Sequence, residues 1–400
     1  MSTDGRRPSF TSTPLAAVCV LTSLASVGTG VIWNAVSFIA KNDYKLSQTR
    51  TFWLYAFMGA IYVLGALGAG PFLKAVGKKL SPRAVVAWIL SLQAVLCSGP
   101  LLTRAEFMLW IVGGVTSLLS SVLWPIVESY VTAGRHGPAM RNAIGVWNLV
   151  WTGATALSMY AIAPLIDENA RHAIVSLVPI NAIACFVLFA FNAWPGEHLH
   201  ETGSTHVGSN YPMLLKSARI LLPLSYIMTS ALSPLMPYLL AGMHVSDHFQ
   251  TPITGIWMIA RFLTMLLMWR ADFWHGRWGT LLLGGVCLAL GFAVLITAPV
   301  IVVLGIGLTL FGLGMGTVYF AAIYYALAVG RAEVDAGGTH EALIGVGYTF
   351  GPVTGLIGTQ VESLQPQIHM EPVVITLIWG LTAVVSVTVV RAYRRSKSHS

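Results

Sequence analysis

Arg261 is a charged residue in the middle of an apolar stretch of the chain. The segment over 252–269 contains no other Asp, Glu, Lys or Arg. A guanidinium is always charged, and its planar fork of N–H groups matches a carboxylate or a phosphate. We therefore expect Arg261 to bind an anionic group of a ligand. A permanent ion pair with Glu128 or Glu341 is the structural alternative.

Glu128 lies close to the end of a second apolar stretch, over 107–133. A carboxylate at that depth can take up a proton on one side of a barrier and release it on the other. We expect Glu128 to carry such a coupling proton. The alternative is an ion pair with Lys74 or Arg141, which would fasten the chain at one end and make Lys74 a gating residue.

His340 and Glu341 stand next to each other at the start of the apolar segment over 341–360. A histidine titrates near neutral pH, and a neighbouring carboxylate moves that titration across the working range. The pair therefore predicts a proton relay or gate. Ordinary stabilisation of a helix start by an acidic residue is the alternative.

Further polar and aromatic residues fall within apolar segments and are candidates for contact with a ligand. For each of them, simple packing is the alternative role. The candidates are Asn34, Trp147, Asn148, Tyr226, Ser230, Tyr319, Tyr324 and Tyr348.

The composition places all these residues in a membrane protein. Of 400 residues, 56% are hydrophobic and 10% are charged, whereas soluble domains carry about 25% charged residues. At about 20 apolar residues per spanning helix, the chain has room for about a dozen spans. This pattern excludes a cytoplasmic enzyme. We expect no catalytic activity, no cofactor and no metal site.

Cutting the sequence where charge, Pro or Gly interrupts the apolar runs gives twelve predicted helices. They are 14–40, 51–73, 84–102, 107–133, 142–165, 172–194, 213–242, 252–269, 279–297, 299–330, 341–360 and 373–390.

The polar interval over 195–212 is the predicted linker between two halves, 1–194 and 213–400. Its three histidines, His198, His200 and His206, lack a fourth ligand and are not expected to hold a metal.

The positive charge has a topological explanation. With the N-terminus in the cytoplasm, 17 of the 23 Lys and Arg residues fall on the cytoplasmic side and five on the other side. Short cytoplasmic loops collect basic residues in this way, so the formal charge of +8 does not indicate a nucleic-acid partner. We expect a monomer in a cell inner membrane, with both termini in the cytoplasm.

The two halves contain a short internal repeat. The sequence AIGV over 143–146 recurs as LIGV over 343–346, and Gly153 recurs as Gly351. Because the copies open helices of the same orientation, they indicate a parallel duplication. The fold predicted is an all-α polytopic membrane protein with twelve transmembrane helices in two six-helix bundles.

The chain resembles the major facilitator superfamily in helix count, central linker and parallel halves. The superfamily signature after helix two runs Gly, three residues, Asp, a basic residue, one residue, Gly and two basic residues. The sequence GPFLKAVGKK over 70–79 is similar to it, with Lys74 where the family has Asp. A narrower similarity, over 124–130 and 338–342, is to a bacterial branch of the superfamily.

The resemblance implies alternating access around a central cavity lined by helices 1, 4, 7 and 10. With Arg261, it predicts a secondary transporter of a small anionic solute that is coupled to protons. A proton-driven exporter of hydrophobic compounds is one alternative. A membrane sensor or scaffold without transport is another.

Overall fold

The computed structural model describes residues 12–135, 137–195, 210–328 and 334–397. In these ranges the chain is helical and contains no strand. Eleven of the described helices are long and apolar enough to cross a membrane, and a bent pair of helices completes a twelfth span. The prediction of twelve membrane helices is confirmed.

The spans are numbered α1 to α12 in chain order. They are α1 Leu15–Asn42, α2 Gln48–Val76, α3 Pro82–Leu102, α4 Glu106–Thr132, α5 Gly137–Ala161 continued by Ala163–Asn169, α6 His172–Ala190, α7 Tyr211–Leu232 continued by Met236–Gly242, α8 Asp247–Arg270, α9 Trp278–Ile296, α10 Ile301–Ala328, α11 Val334–Leu364 and α12 Met370–Lys397.

α7 begins at Tyr211, two residues before the predicted start at 213. Most of the predicted linker, including its three histidines, lies outside the described residues. The division of the chain at 195–212 therefore stays a prediction.

α1 and α7, the first helices of the two halves, are both irregular. α1 contains a π-helical turn over Gly30–Ala35, and α7 bends by 47° between its two pieces. Such turns are frequent at functional sites. Gly30 also lets α1 approach α5, because a Cβ there would lie 1.7 Å from Ser158 Oγ.

The most extensive contacts between the halves are those of α2 with α11 and of α5 with α8. Small residues let the backbones come close at these contacts. A Cβ on Gly59 would lie 2.5 Å from the carbonyl of Tyr348, and one on Gly145 would lie 2.2 Å from the Trp269 ring.

Candidate ligand site between the two halves

Arg261 of α8 is 1% exposed and is enclosed by aromatic rings. Its guanidinium carbon lies 4.5 Å from the ring centre of Trp151 on α5 and 4.5 Å from that of Tyr319 on α10. Nη2 donates a hydrogen bond to the hydroxyl of Tyr226 on α7, at 3.2 Å. The cation is therefore held by side chains from both halves.

The charge of Arg261 has no acidic partner in the part of the chain that the structure describes. The three ion pairs found there join other groups, so the alternative of a permanent pair with Glu128 or Glu341 is not realised. Nε is buried without a hydrogen-bond partner. A buried donor left unpaired is costly, and an anion placed against it would satisfy both the donor and the charge.

Two small cavities lie near this arginine, and Trp151, Tyr226 and Tyr348 line both of them. The first, of about 30 Å³, is lined by Arg261 together with residues of α1, α2, α7, α8 and α11. The second, of about 50 Å³, is lined by Glu341 and residues of both halves, including Trp124 and Trp147. Each has room for only a few water molecules. A solute larger than that requires the halves to move apart.

Tyr348 of α11 forms part of the wall that both cavities share. Its ring stacks on Trp33 of α1, with centroids 3.9 Å apart and planes at 14°. Tyr62 and Tyr226 meet it edge-on, at 5.7 and 5.3 Å. Four aromatic rings from α1, α2, α7 and α11 thus pack together in the walls of the two cavities.

Glu341 of α11 is 5% exposed and lines the second cavity. It accepts a hydrogen bond from the hydroxyl of Tyr62 on α2, so this bond crosses between the halves. Glu128 of α4 lies near enough for the two carboxylates to repel each other when both are ionised. Within the described residues neither carboxylate forms an ion pair.

His340 lies beside the aromatic enclosure of Arg261. Its ring meets Tyr319 edge-on, with centroids 5.4 Å apart. Nε2 is buried without a hydrogen-bond partner. The histidine therefore stands behind one of the two rings that cover the guanidinium.

Neither a protein-family model nor a curated protein matches the sequence. Among solved structures, the nucleoside transporter NupG is similar, with a TM-score of 0.66 at 14% identity over 95% of this chain and 98% of that one. The human organic anion transporter MFSD10 (TETRAN) is similar with a TM-score of 0.65 at 14% identity, over 93% and 98% of the two chains. The chain has the major facilitator superfamily fold.

Six of the predicted ligand contacts line the two cavities. Tyr226, Tyr319 and Tyr348 are described above, and the other three are Asn34, Ser230 and Trp147. Asn34 lies in the π-helical turn of α1 and lines the first cavity, where its amide donates to the Thr29 carbonyl at 3.3 Å. Ser230 also lines that cavity and bonds to the Gly347 carbonyl of α11 at 2.7 Å. Trp147 lines the second cavity.

Two predicted contacts lie elsewhere. Asn148 is fully buried behind the cavity wall, where its Oδ1 accepts a hydrogen bond from Trp151 Nε1 at 3.0 Å and so orients that ring. Tyr324 stacks on His275 with centroids 4.3 Å apart, in an aromatic cluster beyond the site. Five residues after Tyr319, a helical side chain is turned by about 140° and displaced by about 7.5 Å along the axis.

The alternative ion pair of Glu128 with Lys74 or Arg141 is not formed in the described residues. Lys74 is exposed, and no ion pair involves it in the described ranges. On α4, Ile126 and Ser129 face the side where Lys74 lies. Glu128 is rotated from them by about 200° and 100°, which turns it towards α11 instead.

Sequence reasoning missed several wall residues, among them Trp33, Tyr62 and Trp151. Trp151 stands one helical turn after Trp147, a spacing that could have placed it on the same face. Trp33 and Tyr62 sit in apolar runs where nothing in the sequence separates a cavity aromatic from a packing one.

Proposed function

We propose that the chain is a secondary transporter that moves a small solute bearing an anionic group across a membrane by alternating access. The observation that carries this proposal is the buried guanidinium of Arg261, which lies between the halves with an unpaired donor and no acidic partner in the described residues.

The energetics favour an anion at this position. Burying an uncompensated charge costs several kcal/mol even after relaxation. Each cation–π contact, here with Trp151 and Tyr319, recovers about 1–2 kcal/mol. A carboxylate bound to the guanidinium supplies the missing opposite charge and uses Nε as a donor.

The similar solved structures support transport of a small organic solute. One similar protein is a transporter of nucleosides and another a transporter of organic anions, both at low sequence identity. Their fold is one of transporters, so we infer that the chain is not an enzyme.

We also propose that protons drive the transport, with Glu341 and Glu128 as carriers. Two neighbouring buried carboxylates cannot both ionise cheaply, and no cation pairs with either in the described residues. Proton uptake neutralises one of them and so lowers the cost of closing the halves around it. His340 is the second candidate because it adjoins Glu341 and its buried Nε2 has no hydrogen-bond partner in the structure.

A second candidate function is export of neutral hydrophobic compounds. The aromatic lining favours it, since Trp33, Tyr226 and Tyr348 present ring faces and edges to the first cavity. An inner-membrane location with cytoplasmic termini applies to either function and stays a prediction.

Thermal unfolding of the purified protein separates the two functions. We would compare aromatic carboxylates such as benzoate with their neutral amides. The anion site predicts that carboxylates raise Tm and amides do not, and that Arg261→Gln removes the effect. Arg104→Gln is the matched control, because Arg104 is exposed in the α3–α4 loop. Equal shifts with amides, retained in Arg261→Gln, would favour the neutral exporter.

A further inference from the structure

A cleft of about 350 Å³ lies away from the central site, at the end of α2 next to the α2–α3 loop. α2, α3, α4 and the segment after α6 form its walls. The lining is mainly apolar and includes Leu73, Val85, Ile126 and Trp194. Its volume is about seven times that of the second central cavity.

Lys74 is the cation of this cleft. Apart from the indole of Trp194, the other polar side chain in the lining is that of Ser129, whose hydroxyl already donates to the Ile126 carbonyl at 2.6 Å. Lys74 itself has no hydrogen bond or ion pair in the part of the chain described, and Lys78 and Lys79 are exposed just beyond it. The mouth of an apolar cleft thus carries uncompensated positive charge.

The cleft continues along α2 as an exposed apolar stripe. Leu64 and Leu67 are 69% and 63% exposed, and with Gly70 and Lys74 they follow the three- and four-residue spacing of one helix face. From Lys74 to Leu64 the helix rises about 15 Å, which is half of the roughly 30 Å hydrocarbon core. The stripe therefore reaches from headgroup level to the middle of a bilayer.

We propose that this cleft binds an anionic phospholipid of the leaflet that adjoins the α2–α3 loop. Lys74 receives the phosphate, with Lys78 and Lys79 nearby, and one acyl chain lies over Leu67 and Leu64. The charge selects an anionic headgroup over a zwitterionic one. The length of the stripe selects a lipid over a free phosphate ion.

Trp194 provides the signal for a test, because it lines the cleft and is 53% exposed. The full chain would be placed in phosphatidylcholine nanodiscs with a rising fraction of phosphatidylglycerol brominated on its acyl chains. Subtracting the fluorescence of Trp194→Phe isolates the quenching of this one indole. Brominated phosphatidylcholine in the same fractions is the headgroup control.

We expect brominated phosphatidylglycerol to quench Trp194 at a lower mole fraction than brominated phosphatidylcholine. Lys74→Gln should raise the fraction for half-quenching about fivefold, since each surface lysine contributes about that factor. Arg104→Gln, at the opposite end of the molecule, should leave it unchanged. Inorganic phosphate should displace the lipid no more than chloride at equal ionic strength.

Each other result overturns the proposal. Equal quenching by the two lipids would show a cleft without headgroup preference. A preference that survives Lys74→Gln would place the headgroup elsewhere, and competition by inorganic phosphate would indicate an ion site. Absence of quenching of Trp194 by either brominated lipid would mean that another part of the protein, such as the segment over 196–209, occupies the cleft.

Discussion

Replacing Gly59 by alanine tests the contact that holds α2 of one half against α11 of the other. The new Cβ would lie 2.5 Å from the carbonyl carbon and oxygen of Tyr348 and 2.6 Å from the amide nitrogen of Thr349. Comfortable contacts between such atoms begin near 3.5 Å, so the two backbones must separate by about 1 Å. Because those atoms are backbone, no side-chain rotation relieves the clash.

The magnitude follows from a matched pair of variants on the same helix. A Cβ on Gly68 meets nothing within 4 Å, so Gly68→Ala gains only the helix preference of alanine, about 1 kcal/mol. Gly59→Ala gains the same amount and pays about 1–3 kcal/mol for overpacking. The difference between the two variants isolates the interface contact.

We would measure Tm of both purified variants and their stabilisation by benzoate. Gly59→Ala should unfold at a lower temperature than Gly68→Ala. It should also respond less to the ligand, because its clash displaces Tyr348 from the wall of the site. If the two variants unfold at the same temperature and respond equally, α2 and α11 do not touch at Gly59 in the populated state.

Three further predictions concern protons and the ends of the molecule. In proteoliposomes, Gln at both Glu128 and Glu341 should abolish accumulation driven by a pH gradient while solute exchange continues, because exchange needs no net proton movement. Burial, partly opposed by Asp272, lowers the pKa of His275 below its ordinary value. In acid, the unfolded chain then binds more protons than the folded one. The contribution of His275 to stability is therefore complete above about pH 6.5 and is lost as the pH falls. On acidification, the Tm of His275→Gln should fall less than that of the wild type. Tyr238 donates a hydrogen bond to the Leu46 carbonyl at 2.8 Å and so joins α7 to the α1–α2 loop. Tyr238→Phe should increase the rate of thiol labelling of a cysteine introduced near the first cavity. The expected increase is about two- to tenfold, the factor that corresponds to one hydrogen bond.

Each of these has a contrary result. Gradient-driven accumulation by the double Gln variant would assign the proton to a histidine or to the solute. Parallel Tm curves for wild type and His275→Gln would show that His275 carries no depressed pKa. Unchanged labelling in Tyr238→Phe would mean that the Tyr238 bond does not hold that end closed.

The spans could be predicted because an apolar run of about 20 residues is a property of composition. The ends of the spans could not be predicted, because helices continue past charged residues and glycines. α12 extends to Lys397, beyond the predicted end at 390, and α11 begins at Val334, before the predicted start at 341.

The residues of the candidate site could be predicted only in part from the sequence. Arg261 could be predicted as a site residue because a single charge within a membrane helix costs free energy and usually marks a functional site. Trp33 carried no such signal, since an aromatic side chain is at home in any membrane helix. The ion pair predicted between Lys74 and Glu128 is not formed. That prediction depended on which face of α4 is turned towards Lys74, and residue spacing alone does not give this.

In our proposal, transport depends on Arg261 binding the anionic group of the solute. The most direct test is counterflow of a radiolabelled carboxylate, chosen as one that raises Tm, in proteoliposomes of wild type, Arg261→Gln, Arg261→Lys and Arg104→Gln. Losing one member of a buried charge pair costs about 2–5 kcal/mol, so Arg261→Gln should weaken binding at least about thirtyfold and reduce exchange to background. Arg261→Lys should be intermediate, because a point charge replaces a planar fork, and Arg104→Gln should match wild type. Exchange by Arg261→Gln at the wild-type rate would show that Arg261 does not bind the solute.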